Sequence, residues 1–139
     1  MSDATFHSNL DKEFGAVTEL FSPRVVAMAN GQHVKVAKLK GEFVWHAHAQ
    51  EDEFFLVRIG TLHIHFRDRL DVTLHEGDFH VVPRGVEHKT AAPEECWIIL
   101  IEPAETKHAG DTVTDMAKPV EAQTAHLQAA DVGWVERQR

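Results

Sequence analysis

The sequence has one cysteine, Cys96, in 139 residues. No disulfide can form within the chain, and a reducing cytosol is the expected setting. Long apolar runs are missing too. The longest, Cys96 to Ile101, is six residues against the roughly 20 needed to cross a bilayer. Positive charge is scarce: 14 Lys and Arg face 22 acids, a net charge of −8. A nucleic-acid binder needs a basic face to neutralise phosphates, and an anionic membrane selects the same sign, so neither partner is expected. The opening MSDATFHSNLDKEF has no basic cluster and no apolar stretch. No secretory leader is read there, and a cytoplasmic location is expected. Several catalytic signatures are absent as well: GXSXG, a phosphate-binding glycine loop, a CXXC pair, and HXHXDH, since His48 is followed by Ala-Gln-Glu-Asp.

What is present suits one globular domain: 43% hydrophobic and 26% charged residues, with no repeat. Leu10, Phe14, Val17 and Phe21 recur at helical spacing, so a short helix is expected over Ser8–Phe21, with Ser8 and Asp11 outlining a capping box. Ser22-Pro23 stops it, because a residue before proline avoids helical geometry. Then the period shortens. Val25–Ala29 and His33–Leu39 are β-prone runs joined by Asn30-Gly31, the dipeptide best suited to a tight hairpin. Further strands are expected at Phe43–His48, Glu53–Ile59, Leu62–Phe66, Leu70–Leu74, Phe79–Val82 and Cys96–Glu102, with Ala92-Pro93-Glu94 as a separating turn. Such spacing indicates an all-β sandwich or small barrel. Trp97–Ile101 does not alternate and reads as a strand covered on both faces. The expected organisation is a helical segment 1–22, a barrel 23–103 and a loosely structured extension 104–139, with a short helix near Glu121–Ala130. Arg24, Lys35, Lys38 and Lys40 form a basic stretch, read as a solvated sheet face rather than an anion site.

Eleven histidines are the anomaly. On a strand, residues two apart share a side, so His46 and His48 present two imidazoles to one point. A carboxylate can return to that point from the next strand, and Glu51, Asp52 and Glu53 all compete for the role. A second segment, from Gly77 through Pro83 and Gly85 to His88, adds an imidazole after a fixed turn. Imidazole and carboxylate together suit borderline divalent metals.

These two segments resemble the two motifs of the cupin superfamily. The first motif is glycine, five residues, His-X-His, three or four residues, glutamate, six residues and glycine. It fits at His46, His48, Glu53 and Gly60, although Gly41 stands one residue too close. The second fits at Gly77, Pro83, Gly85 and His88, with Ala92 where the family has asparagine. The rest of the chain is similar to small bacterial single-domain cupins sometimes labelled mannose-6-phosphate-isomerase-like. Those relatives often carry Asn-Thr-Gly where this chain has His108-Ala109-Gly110. The resemblance implies a jelly-roll β-barrel of six to eight strands, usually a homodimer. It also implies one divalent transition metal per chain (Fe, Mn, Ni, Zn or Cu) held by His46, His48, Glu53 and His88.

Three imidazoles and a carboxylate leave open positions on an octahedral ion for a small-molecule substrate with adjacent oxygens. The primary reading is therefore a metal-dependent enzyme of dioxygenase or isomerase type, with Glu53 as the candidate catalytic base. The alternatives are a non-catalytic metal-dependent binding or sensing cupin, and a dimer whose metal only staples the barrel. Strand parity places Phe55, Val57 and Ile59 inside, and puts Phe43 and Trp45 on an exposed apolar face suited to pairing. His63 and His65 read as surface residues. His80 reads as a barrel-wall residue or a group steadying a ligand from behind, and Cys96 as a buried, inert thiol. His7, His33, His75, His108 and His126 carry no signal.

Overall fold

The structure, a computed structural model, describes residues 7–128. It is an antiparallel, jelly-roll type β-barrel with a short helix before it and another after it. In chain order the elements are α1 (Leu10–Gly15), β1 (Arg24–Ala29), β2 (Gln32–Glu42), β3 (Glu53–Ile59), β4 (Leu62–Phe66), β5 (Val72–Leu74), β6 (Phe79–Val82), β7 (His88–Pro103) and α2 (Val120–Gln128). The strands follow the order β1-β2-β7-β3-β6, and β4 joins β7 on one side and β5 on the other. Among the described residues no helix is long and apolar enough to cross a membrane.

Sequence sets these boundaries locally. Asn30 and Gly31 adopt φ of 53° and 75°, the left-handed pair that closes a two-residue hairpin with Ala29 opposite Gln32. α1 is shorter than the expected Ser8–Phe21. Its cap is Asn9, whose side chain accepts the Asp11 N–H, and it ends at Gly15. Beyond it the chain extends, and Leu20 bridges to Lys38. Phe14 is fully buried and stacks on Trp97 at 5.0 Å, closing the outer face of β2 and β7 with Val36 and Ile99. α2 matches the expected late helix, although Ala129 and Ala130 lie outside the described residues. Its Leu127 covers Val25.

The second core fills the barrel. Ala37 and Leu39 of β2, Phe55 and Val57 of β3, and Ile98 and Leu100 of β7 project into it. Ile99 is also buried, on the other face, so the exit strand is covered on both sides as its composition implies. β7 is longer than Cys96–Glu102. Ala92-Pro93-Glu94 is not a turn but part of a bulge, where the register with β2 slips between Leu39 and Gly41. A bulge accepts a proline, which has no N–H to give the ladder. A similar slip between Val57 and Ile59 breaks the parity of β3 and turns Ile59 outward at 41% exposure.

Two further expectations change. Lys35 lies on the inner face of β2 with Ala37 and Leu39 and is fully buried, so the basic stretch is not one solvated face. Phe43 is buried, and Trp45 is half-buried beneath Arg67 and Lys89, whose cations sit 4.1 and 5.3 Å from its ring. The exposed apolar face expected from these two aromatics is therefore covered.

Candidate metal centre

Residues Phe43–His48 do not form the expected regular strand. The stretch is extended, and cross-links that belong to no long ladder hold it in place. His46 and His88 exchange both backbone hydrogen bonds, at 3.0 and 2.9 Å, and Phe43 donates to the Thr90 carbonyl. The Pro83-Arg84-Gly85 turn docks onto the far end. Gly85, at φ 77°, donates to the His48 carbonyl at 2.8 Å, and Arg84 N–H donates to Asp52 at 2.9 Å. From the other side, residues 104–112 cross the stretch as a strap. Thr112 donates to the Trp45 carbonyl, and Gly110 lies so near Ala47 that a Cβ there would stand 2.1 Å from its carbonyl oxygen. His46 and His48 are thus fixed by turn and strap contacts that strand periodicity does not reveal.

The structure brings His46, His48, Glu53 and His88 together. Each offers one ligand atom within 4.8 Å of all the others, and all four are buried. Glu53 takes the carboxylate position, while Asp52 secures the turn and Glu51 lines a separate outer cleft beside His48.

The hydrogen bonds fix the chemistry of these donors. Nδ1 of His46 lies 2.8 Å from the Val44 carbonyl, and Nδ1 of His88 lies 2.9 Å from that of Val86. A carbonyl only accepts, so both Nδ1 atoms carry protons, which leaves Nε2 of each ring as the inward atom available to ligate. Nε2 of His88 then meets Glu53 Oε1 at 3.2 Å, and Nε2 of His48 meets the same oxygen at 3.5 Å. Converging lone pairs around a buried carboxylate repel unless a cation or proton lies between them. Neither ring nitrogen of His48 has a hydrogen-bond partner of good geometry. The donor set therefore fits a divalent cation of the borderline class.

Electrostatics agree. Burial, with help from His88, pushes His46 down to about 4, so its ring is neutral and free to ligate. Burial would raise Glu53, but its contact with His48, foremost, outweighs this and holds the carboxyl well below its ordinary value. His48 shifts up, because Glu53 outweighs the opposing effect of burial.

Two flanking features lie outside the motifs. Inside the barrel, Lys35 Nζ pairs with Glu102 Oε1 at 2.7 Å, both groups buried. Burial and the charge of Glu53 raise Glu102 to about 8 despite Lys35. Inward parity with Ala37 and Leu100 was the available clue to this pair. The other feature is a cavity of about 30 Å³ beside His46 and Glu53, with Phe43, Phe55, Thr90 and His108 among its walls. The remaining histidines lie elsewhere. His63 and His65 bond Thr73 and Asp71 on the outer face of β4, His80 packs edge-on to Phe66, and His126 donates to the Val25 carbonyl. Burial pushes the Cys96 thiol up to about 11, consistent with an inert residue.

Comparison with known proteins places this geometry. Residues 32–102 match the family model described as the cupin domain. A cupin-2 domain containing protein from Shewanella frigidimarina NCIMB 400 is 49% identical, with a TM-score of 0.67 over 69% of this chain and 93% of that one. Protein YdbB of Bacillus subtilis (strain 168) is 35% identical over 65 residues, 47% of this chain and 58% of that protein. The chain thus spans little more than half the length of that curated relative. The hydroquinone 1,2-dioxygenase from Sphingomonas sp. TTNP3, solved with 4-hydroxybenzoate bound, shares the fold at 16% identity and a TM-score of 0.58 over 66% of this chain and 70% of that chain.

Proposed function

From the premise that this chain belongs to the cupin family, we propose that it is a metal-dependent enzyme acting on a small, oxygen-rich molecule. His46, His48, Glu53 and His88 are its metal ligands, one divalent transition ion per chain. The observation that carries this reading is the pair of imidazoles, His46 and His88, whose Nδ1 protons are committed to the backbone while their lone pairs converge with Glu53. Such an ion supplies Lewis acidity toward a substrate with adjacent oxygens, or a redox partner for dioxygen.

The side chains do the rest. Val44 and Val86 carbonyls lock the ring orientations, so little rearrangement is needed on loading. Phe43, Phe55 and Leu100 give the cavity beside His46 and Glu53 an apolar wall, which strengthens electrostatic interactions next to it. Glu53, held ionised, is the base nearest to anything entering beside His46.

Elemental analysis of the purified protein tests the ligand assignment. About one equivalent of transition metal is expected, lost in His48→Ala and in His88→Ala, and retention by both variants would refute it. The Fe(II) and Mn(II) forms, screened against catechols, diketones and sugar phosphates with an oxygen electrode running, then divide oxygenase from isomerase. A metal-loaded protein that turns over none of these would favour the binding or sensing reading.

A further inference from the structure

His108 belongs to neither motif and stands on the strap, yet its ring reaches the inner cavity alongside His46 and Glu53. Three contacts fix it there. The imidazole stacks on Phe43 at 4.7 Å and 19°, and Phe43 in turn meets the edge of His46 at 5.3 Å. The backbone N–H of Lys118 donates to His108 Nδ1 at 3.0 Å. Gly110, two residues on, is seated against Ala47 without room for a side chain. Because Nδ1 accepts that hydrogen bond, the neutral ring must carry its proton on Nε2. Burial lowers His108 to about 4, in keeping with a ring that stays neutral. The cavity wall therefore holds a donor that cannot take a proton from its surroundings at neutral pH and is not needed as a ligand.

We propose that His108 positions ligands, its Nε2–H donating to an acceptor atom of a small anionic group, about the size of a carboxylate, that enters beside His46 and Glu53. The proposal rests on the metal reading above. It adds the polar group that would select what binds and the size of the part that enters. With about 30 Å³ of room beside His46 and Glu53, the group that reaches His108 is small, and the rest of a larger molecule would lie outside it. An anionic group offers a charge to the cation and a lone pair to His108, and neutral apolar guests of equal size offer neither.

Azide, a triatomic anion, is a suitable probe. Protein reconstituted with Co(II) is titrated with azide and followed by its visible bands. His108→Phe keeps the stack on Phe43 and removes the donor. It should load Co(II) fully and bind azide about tenfold more weakly, the effect of one lost hydrogen bond. His108→Gln, which restores an N–H, should recover part of that loss. Long-range proton–nitrogen NMR on the metal-free protein should show His108 protonated on Nε2 alone at neutral pH. A Co(II)-loaded His108→Phe that binds azide as wild type does, or a ring protonated on Nδ1, overturns the proposal and leaves the metal reading standing. A wild-type protein that takes up no Co(II) overturns both.

Discussion

The strap should be most sensitive at Gly110, and the cost of a single methyl group there can be worked out in two parts. The first is conformational: φ is +55°, and an L-residue in that region costs about 1 kcal/mol. The second is steric. A Cβ would lie 2.1 Å from the Ala47 carbonyl oxygen and 3.1 Å from its carbon, so backbone must move by about 1 Å, as in overpacked cores that lose about 1–3 kcal/mol. Gly41 supplies the control, because its φ is +86° but nothing lies within 4 Å of its notional Cβ. Gly110→Ala should therefore lose about 2–4 kcal/mol and Gly41→Ala about 1, a gap of roughly 10 °C in melting temperature for a domain of this size. Ala47 lies between two of the proposed ligands, so Gly110→Ala should also weaken Co(II) binding about tenfold by spoiling their approach. Differential scanning calorimetry with and without Co(II) measures both effects. Equal melting temperatures for the two variants, within about 2 °C, would show that the strap yields freely and does not brace the ligand stretch.

The buried Lys35–Glu102 pair gives another test. Glu102→Ala strands the ammonium of Lys35 and should cost about 3–5 kcal/mol in urea unfolding, whereas Lys35→Met combined with Glu102→Gln should cost clearly less; equal losses would contradict the pairing. The metal-free protein should also weaken in mild acid. His33 and His108 are lowered to about 4 by burial, so between about 6.5 and 4 the unfolded chain binds protons that the folded chain refuses, and stability falls as pH falls. Glu102, raised to about 8, acts in the opposite sense as pH rises from about 4.5, but it is common to wild type and His108→Asn. Urea midpoints at about pH 6.5 and 5 should therefore drop less in His108→Asn than in wild type, and parallel drops would refute the assignment.

Much of the architecture was legible because it rests on local rules. Asn30-Gly31 demands its hairpin, and alternation in Leu62–Phe66 turns His63 and His65 outward while Leu62, Ile64 and Phe66 go in. The four-residue cluster was legible for a different reason: the spacing of His46, His48, Glu53 and His88 is a fold-level pattern, and its geometry follows once the barrel closes. Parity failed where bulges intervene, which is why Ile59 faces out and why Ala92-Pro93-Glu94 does not turn the chain. His108 was silent because its place depends on a strap with no periodicity, held by Gly110 against Ala47 and by Lys118. Lys35 looked like a surface cation because burying one is costly, and only its partner Glu102, 67 positions away in sequence, makes the placement tolerable.

β7 is the shared partner of β2, β3 and β4. On the ribosome, a nascent chain that has not yet released residues 88–103 can form only ribbons of two strands, β1 with β2, β3 with β6 and β4 with β5, each presenting a bare edge. Such edges invite pairing between molecules. A pause that holds residues 88–103 inside the ribosome after β6 has emerged is therefore the moment of greatest exposure to aggregation, and release of this one strand converts three vulnerable ribbons into a closed barrel in a single step.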